Sequence, residues 1–236
     1  MIFKGKVVLV AGGTGGLGRA VSLAFLNEGA ELIVTYVVAE EFAELKTMAG
    51  ANCSRLTGRK VDVTDEAAVQ RLIDGILADH GRLDVLVNTV GGYVGGMKLW
   101  DAEASALDRM LALNLRSGFL SSRAAAKAML PEGKGVIVNV AAKAAFDHET
   151  GLAAYAASKA AAVALMDSLA ADLKGTGVRA NSILPSIIDT PANRIAMPNS
   201  DFSTWPKPED IARVILFLSS KDAAVIHGAA IPVYGN

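Results

Sequence analysis

The sequence has a single cysteine, no apolar run long enough to span a membrane and almost no excess charge. Cys53 cannot form an intrachain disulfide, so a reducing cytoplasm is the expected setting. The opening residues MIFKGKVVLVAGG lack the apolar segment and cleavage site of a signal peptide. A formal net charge of −1 gives no attraction to nucleic acid or to an anionic membrane. We expect neither of these partners, and we predict no metal site.

Short apolar runs alternate with longer segments of helical periodicity along the whole chain. The predicted strands are 6–12, 31–38, 58–63, 83–90, 135–142, 177–185 and 228–235. The predicted helices are 17–29, 40–50, 64–81, 103–130, 152–174 and 208–220. This order predicts one Rossmann-type α/β domain over 1–236, with a doubly wound parallel sheet of about seven strands and helices on both faces. The long irregular segment 185–207 follows the carboxyl end of a strand, and we predict a substrate-side loop there.

A glycine-rich stretch, AGGTGGLGRA at 11–20, lies between the first predicted strand and the first predicted helix. Glycine lets a pyrophosphate approach the backbone, and the helix start offers free N–H groups to it. Glycines also suit a tight turn, but this position in an alternating chain favours dinucleotide binding. Asp62 ends the third predicted strand and Asn88 the fourth, at the same edge of the sheet. Each residue suits a cap or a turn. In a dinucleotide-binding sheet, Asp62 would instead contact the adenine and Asn88 would brace the loop.

Tyr155 and Lys159 are four residues apart on a predicted helix and therefore share a face. A free phenol has a pKa of about 10, and a neighbouring ammonium lowers it toward useful acid–base values. A Tyr and a Lys at this spacing also occur by chance. Their position after the fifth strand of a dinucleotide-type sheet favours a catalytic pair.

With these motifs, the whole chain resembles the short-chain dehydrogenase/reductase family. GGTGGLG resembles its cofactor loop, NTVGG at 88–92 its Asn-Ala-Gly segment, and YAASK its catalytic helix. The resemblance implies an oxidoreductase that uses NADH or NADPH and a small-molecule substrate, and that forms a homodimer or homotetramer through the helices near 103–130 and 152–174. The implied catalytic residues are Tyr155, Lys159 and Asn114. The implied cofactor contacts are Gly12, Thr14, Gly15, Gly16, Leu17, Gly18, Tyr36, Asp62, Val63, Asn88, Gly91, Tyr155, Lys159, Pro185, Ile188 and Thr190.

The chain departs from that family at three places. The family serine, thirteen positions before the Tyr (155 − 142 = 13), is Ala142 here. Tyr36 stands where NAD-preferring members carry an acid, while Gly15 and Val37 stand where NADP-preferring members often carry a base. The usual Pro-Gly after the sixth strand is Pro-Ser at 185–186. These departures leave open both the choice of cofactor and the substrate class.

One branch of the family, the quinonoid dihydropteridine reductases, naturally lacks the serine. AAKAAFDHETGLAAY, GGYVGG at 91–96 and the loop 184–205 resemble its segments. This narrower resemblance implies a quinonoid dihydropterin-like substrate. The implied substrate residues are Ala142, Lys143, Tyr93 and Trp205, of which the two aromatic residues are equally compatible with simple loop packing. The role of Lys143 stays unassigned, and His148 is interpreted as a surface residue.

Two alternatives remain at this point. One is a ketone, 3-oxoacyl or alcohol-converting member of the same family that uses another donor in place of the serine. The other is a dinucleotide-binding protein without turnover, although the intact Tyr–Lys pair favours an enzyme.

Overall fold

The computed structural model describes residues 1–235, which form one seven-stranded parallel sheet covered by helices on both faces. The strands are β1 Val7–Ala11, β2 Glu31–Tyr36, β3 Leu56–Lys60, β4 Val85–Asn88, β5 Gly135–Val140, β6 Val178–Pro185 and β7 Ala230–Val233. Their order across the sheet is β3-β2-β1-β4-β5-β6-β7. The predicted fold class is therefore confirmed. Because the strand order reverses between β1 and β4, a ligand crevice opens at the carboxyl ends of these two strands.

Eight α-helices flank the sheet over residues 1–235. They are α1 Gly16–Asn27, α2 Ala39–Ala49, α3 Glu66–His80, α4 Ala104–Leu111, α5 Ser117–Met129, α6 Ala153–Asp172, α7 Pro191–Ala196 and α8 Pro208–Ser219. Side chains alternate along each strand, so Val8 and Val10 pack with α1 and α8 while Leu9 packs with α3 and α5. These two apolar layers fix the helices to the sheet. None of these helices is long and apolar enough to cross a bilayer.

Three differences from the sequence predictions bear on the candidate site. The third strand ends at Lys60, so Asp62 follows the strand instead of ending it. The predicted helix 103–130 is two α-helices joined by a π-helical turn over Ala112–Arg116. The predicted irregular loop 185–207 contains the short helix α7 and a 3₁₀ turn at Phe202–Thr204. The loop is more ordered than its composition indicated because Thr190 caps α7 through its hydroxyl, which accepts from the Asn193 N–H at 3.2 Å.

Candidate active site

The glycine loop at the end of β1 is held in place by close backbone contacts. Gly12 adopts φ +76°, a conformation that favours glycine. A Cβ added at Gly18 would lie 2.0 Å from the Gly12 carbonyl oxygen, so helix and loop pack too closely for any side chain. The Gly12 N–H donates to the Thr35 Oγ1 at 2.8 Å, and the Ser22 hydroxyl donates to the Gly13 carbonyl at 2.9 Å. The loop is thereby preorganised.

This loop has the features of an anion site. The N-cap of α1, Gly15, has no side chain to accept from the first-turn N–H groups. Gly15 and Gly16 are exposed, so those N–H groups and the positive end of the helix dipole are open to a ligand. The arrangement fits the diphosphate of a dinucleotide. Leu17 is buried, and only its backbone is available to such a ligand.

The predicted adenosine-side residues lie at the ends of β2 and β3. Tyr36 is partly buried and stacks on Phe42, with ring centroids 4.8 Å apart and planes 2° apart. The Asp62 carboxylate accepts from the N–H and the hydroxyl of Thr64, at 2.9 and 2.7 Å. Val63 is only 4% exposed, and its side chain packs in the core. Asp62 is thus occupied as a turn former in this structure, and Val63 can offer only its backbone to a cofactor.

Asn88 at the end of β4 has a polar atom without a partner. Its Nδ2 donates to the Ser122 Oγ at 3.0 Å, while its buried Oδ1 accepts no hydrogen bond from residues 1–235. Such a group is uncommon in a buried position and marks this strand end as a functional candidate. Nearby, a side chain at Gly91 would meet the Asn114 Oδ1 at 2.9 Å and the Lys159 Nζ at 3.3 Å. The backbone at Gly91 therefore passes directly over the predicted catalytic residues.

Asn114 lies in the π-helical turn, a feature frequent at functional sites. Its Oδ1 accepts from the Gly92 N–H at 2.8 Å, and its Nδ2 donates to the Gly92 carbonyl at 3.1 Å and to the Ser158 Oγ at 2.9 Å. The Ser158 hydroxyl in turn donates to the Tyr155 carbonyl at 2.7 Å. Asn114 therefore joins the loop after β4 to the helix that carries Tyr155 and Lys159.

Lys159 is 5% exposed, and its ammonium donates to the Val140 carbonyl oxygen at 3.0 Å. Burial lowers its pKa from 10.5 to about 8, because the charged form loses its hydration. The lysine is still largely protonated at neutral pH and lies one helical turn from Tyr155.

Tyr155 is also largely buried. Burial raises the pKa of its phenol to about 12, and the neighbouring Tyr93 phenol adds to the rise. The expectation that Lys159 lowers this pKa stays a prediction: in this structure the ammonium donates to the Val140 carbonyl oxygen, and burial determines the direction of the shift. A Tyr155 phenol of this pKa is protonated at every physiological pH. It therefore carries the proton that a donor needs, but its raised pKa makes it a weaker acid than a free phenol, so efficient transfer requires stabilisation of the phenolate.

The buried lysine predicts a pH dependence of folding stability. The unfolded chain holds the Lys159 proton up to about pH 10.5, whereas the folded chain releases it near pH 8. The unfolded state therefore binds more protons between these values, and the free energy of unfolding rises with pH across this window. The full effect is on the order of 3 kcal/mol. Urea denaturation from pH 7.5 to 10.5 should show this rise in the parent chain and lose most of it in Lys159→Met. An equal slope in both proteins would contradict the assignment.

The four predicted substrate residues do not form one cluster. Tyr93 is 66% exposed and contacts the Tyr155 ring edge-on, with centroids 5.1 Å apart. Ala142 directly follows β5 and is buried. Lys143 instead pairs with Asp147 at 3.0 Å. Trp205 packs on another residue of its own loop, Phe202, with centroids 5.0 Å apart. Tyr93 is therefore the predicted substrate residue that directly contacts Tyr155.

The loop after β6 contacts the glycine loop through Thr190. A Cβ at Gly16 would lie 3.1 Å from the Thr190 Cγ2, which places these two predicted cofactor contacts side by side. Pro185 is the buried last residue of β6, and the Ile188 carbonyl accepts from the Asn193 side chain at 2.8 Å. The loop is therefore fixed against the cofactor side of the crevice.

Comparison with known proteins identifies the family. The profile of a family described as short chain dehydrogenase matches residues 6–200. The chain is 36% identical to D-threitol dehydrogenase of Mycolicibacterium smegmatis, covering 98% of this chain and 92% of that protein. It is 34% identical to meso-2,3-butanediol dehydrogenase of Serratia marcescens, covering 100% and 96%. This chain belongs to the short-chain dehydrogenase family.

Solved structures agree with this placement. NAD⁺-bound xylitol dehydrogenase superposes with a TM-score of 0.92 at 25% identity, covering 100% of both chains. ElxO with NADP bound also gives a TM-score of 0.92 at 25% identity, covering 98% of this chain and 97% of that one. As a short-chain dehydrogenase, this protein is an NAD(P)-dependent oxidoreductase. The neighbours hold either dinucleotide, so they do not decide between the two.

Three further residues of this short-chain dehydrogenase site were missed from the sequence. Thr35 anchors the glycine loop, Ser158 joins Asn114 to the catalytic helix, and Glu41 accepts from the Thr14 hydroxyl at 2.8 Å. Ser158 could have been found, because it lies inside the quoted YAASK motif. The other two depend on contacts over more than twenty residues and leave no local pattern.

Proposed function

We propose that this short-chain dehydrogenase is an NAD(P)H-dependent reductase of quinonoid dihydropterin-like compounds, with Tyr155 as the proton donor. The observation that carries the proposal is Ala142, which offers a methyl group where a ketone reductase of this kind would present a hydroxyl. Reduction of a ketone builds an alkoxide that needs a fixed donor. In a conjugated imine the charge spreads over ring nitrogens and is neutralised by one proton, so a single donor is sufficient.

Each of these groups has a separate role in the proposed reaction. The cofactor supplies a hydride when bound, and the glycine loop with Gly12, Gly16 and Gly18 would hold its diphosphate. The protonated Tyr155 phenol donates its proton to a ring nitrogen of the substrate. Lys159, whose ammonium donates to the Val140 carbonyl in this structure, would have to turn toward the phenolate to stabilise it. The hydrogen-bonded Asn114 would hold the loop and support the return of a proton from solvent.

The substrate side would use Tyr93 as a flat, exposed surface beside the proton donor. Tyr93 is 66% exposed and contacts Tyr155 edge-on, so part of its ring would be available for stacking on a heterocycle. Trp205 is partly buried against Phe202 and would shape the loop instead of touching the ring of the substrate. Lys143, already paired with Asp147, would be available only at the edge of the site.

A second candidate is the reversible oxidation of small alcohols or the reduction of ketones. It is favoured by the relatives, whose names include D-threitol and meso-2,3-butanediol dehydrogenases, and none of the relatives compared above is named for a pterin. It is also favoured by Tyr93, whose phenol lies close enough to Tyr155 to affect its pKa. In this reading the Tyr93 hydroxyl would replace the missing serine as the second donor.

Two substitutions separate these candidates when each is assayed with a quinonoid dihydropterin and with a panel of ketones and diols. If the substrate is the pterin, Ala142→Ser should change its turnover less than about tenfold, and Tyr93→Phe should be nearly neutral because stacking needs only the ring. If the substrate is a ketone, Tyr93→Phe should lower kcat about 10²-fold, as loss of an oxyanion donor does. Ala142→Ser should then restore activity to Tyr93→Phe. Dinucleotide binding without turnover of any of these substrates would instead favour a non-catalytic protein.

We also propose that the chain forms a homo-oligomer through α4, α5 and α6. Leu107 and Phe119 are 40% and 42% exposed on the first two of these helices. Large apolar side chains on a regular helix face favour contact with a second copy.

A further inference from the structure

An acidic side chain lies against the glycine loop although the end of β2 carries none. Thr14, which is 3% exposed, donates its hydroxyl proton to the Glu41 Oε2 at 2.8 Å. Glu41 belongs to the first turn of α2, five residues after Tyr36. The two residues are 27 positions apart, so the contact is a product of the fold and not of a local motif.

The contact with Thr14 brings this carboxylate to the loop that is predicted to hold the diphosphate. In doubly wound sheets the diphosphate sits on the glycine loop, and an acid beyond the second strand binds the adenosine ribose hydroxyls. The Gly13 N–H donates to the Thr35 carbonyl at 3.2 Å, which joins the loop to the end of β2 directly before Tyr36. Glu41 contacts the loop at the adjoining residue, Thr14. Glu41 therefore reaches the glycine loop from the first turn of α2, the helix that follows the end of β2.

Tyr36 does not distinguish NAD(H) from NADP(H). Its ring is stacked flat on Phe42, and a phenolic hydroxyl can hydrogen-bond to a ribose hydroxyl and to a ribose phosphate alike. This stack joins the end of β2 to α2 through Phe42. Glu41 directly precedes Phe42 on the same helix. An acid that contacts the glycine loop is thus present on the next element of the chain.

We propose that Glu41 is the residue that makes this enzyme select NAD(H) over NADP(H). The carboxylate would accept a hydrogen bond from a ribose hydroxyl and would repel the 2′-phosphate of NADP(H). The proposal rests on the dinucleotide site of the proposed function and not on the identity of the substrate.

A cation in this part of the fold could instead attract the 2′-phosphate of NADP(H), but two of the arginines already have acidic partners. Arg19 pairs with Glu44 at 2.9 Å, and Arg59 pairs with Asp79 at 2.7 Å. Lys60 is the register partner of Tyr36 at the end of β3 and is exposed. It is the one cation at this strand end, within the part of the chain that the structure describes, that could attract a 2′-phosphate instead.

The test measures the dissociation constants of NAD⁺ and NADP⁺ by titration calorimetry in the absence of substrate, so that a wrong substrate assignment does not affect it. The parent should bind NAD⁺ more tightly. Glu41→Gln should shift the ratio of the two dissociation constants toward NADP⁺ by about 10- to 100-fold, because it removes a charge but keeps an oxygen for Thr14. Glu209→Gln is the matched control, since it removes an exposed first-turn acid from α8, and it should leave the ratio unchanged.

Two results would overturn the proposal. One is a parent chain that prefers NADP⁺ and loses this preference in Lys60→Gln. The other is a Glu41→Gln variant that melts like the parent but changes the ratio less than twofold, which would leave Glu41 as a tether between α2 and the glycine loop. If neither dinucleotide binds the parent, both this proposal and the proposed function are wrong, whereas binding without turnover contradicts the proposed function alone.

Discussion

Tyr155→Phe is expected to lower kcat by about 10²- to 10⁴-fold with every substrate that the enzyme reduces. The phenol, whose pKa is raised to about 12, is protonated at neutral pH and therefore carries the proton to be transferred. Phe keeps the ring and its edge-on contact with Tyr93 while removing the proton. Steady-state oxidation of NADH and NADPH measures the loss.

The free energy of unfolding should change little in the same variant. Among residues 1–235, no side chain or backbone group forms a hydrogen bond with the Tyr155 hydroxyl, so Phe leaves no partner unsatisfied. Tyr234→Phe is a suitable control, because it removes a phenolic hydroxyl near Lys143 at the edge of the crevice. Near-parental turnover in Tyr155→Phe would exclude it as the proton donor, and the site would then need another acid.

The architecture could be predicted because it depends on local patterns. Short apolar runs alternating with helical periodicity are sufficient to define a parallel sheet, since such a sheet is buried on both faces. The glycine loop could also be predicted from the sequence. Its tight turn and the close approach of Gly18 to the Gly12 carbonyl both need residues without a side chain. In each case the residue types and their positions in the chain indicate the same local structure.

The parts that could not be predicted depend on contacts between distant residues. Nothing in the Ala-rich helix indicates that Lys159 donates to the Val140 carbonyl, 19 residues away. Burial of Tyr155 and the neighbouring Tyr93 phenol raise the Tyr155 pKa, which the sequence also did not indicate. Similarly, Trp205 was an equally good candidate for substrate stacking until the fold placed it on Phe202. Side-chain direction at the end of an element is decided by its neighbours in space, which a single sequence does not display.

Gly18→Ala is expected to abolish tight dinucleotide binding, with a loss of at least about 100-fold in affinity. The new Cβ would lie 2.0 Å from the Gly12 carbonyl oxygen and 2.9 Å from the Thr89 Oγ1. Neither the loop backbone nor the start of α1 can rotate away as a flexible side chain would, so one must be displaced. Overpacking of this kind costs about 1–3 kcal/mol of folding stability. Calorimetric titration with NAD⁺ and NADP⁺ and urea denaturation measure the two effects.

Gly75→Ala is expected to change the free energy of unfolding in the opposite direction. It tests whether the contacts of the added methyl group cause the effect of Gly18→Ala. Gly75 also lies within a helix, α3, but a Cβ there would meet no atom within 4 Å. Alanine should therefore raise the unfolding free energy by about 0.5–1 kcal/mol, through the reduced freedom of the unfolded chain, and leave dinucleotide binding unchanged. Two Gly→Ala changes in helices then differ only in what the added methyl meets. Stabilisation by both would mean that the glycine loop yields to a methyl group, and Gly18 would no longer explain how the diphosphate approaches the backbone.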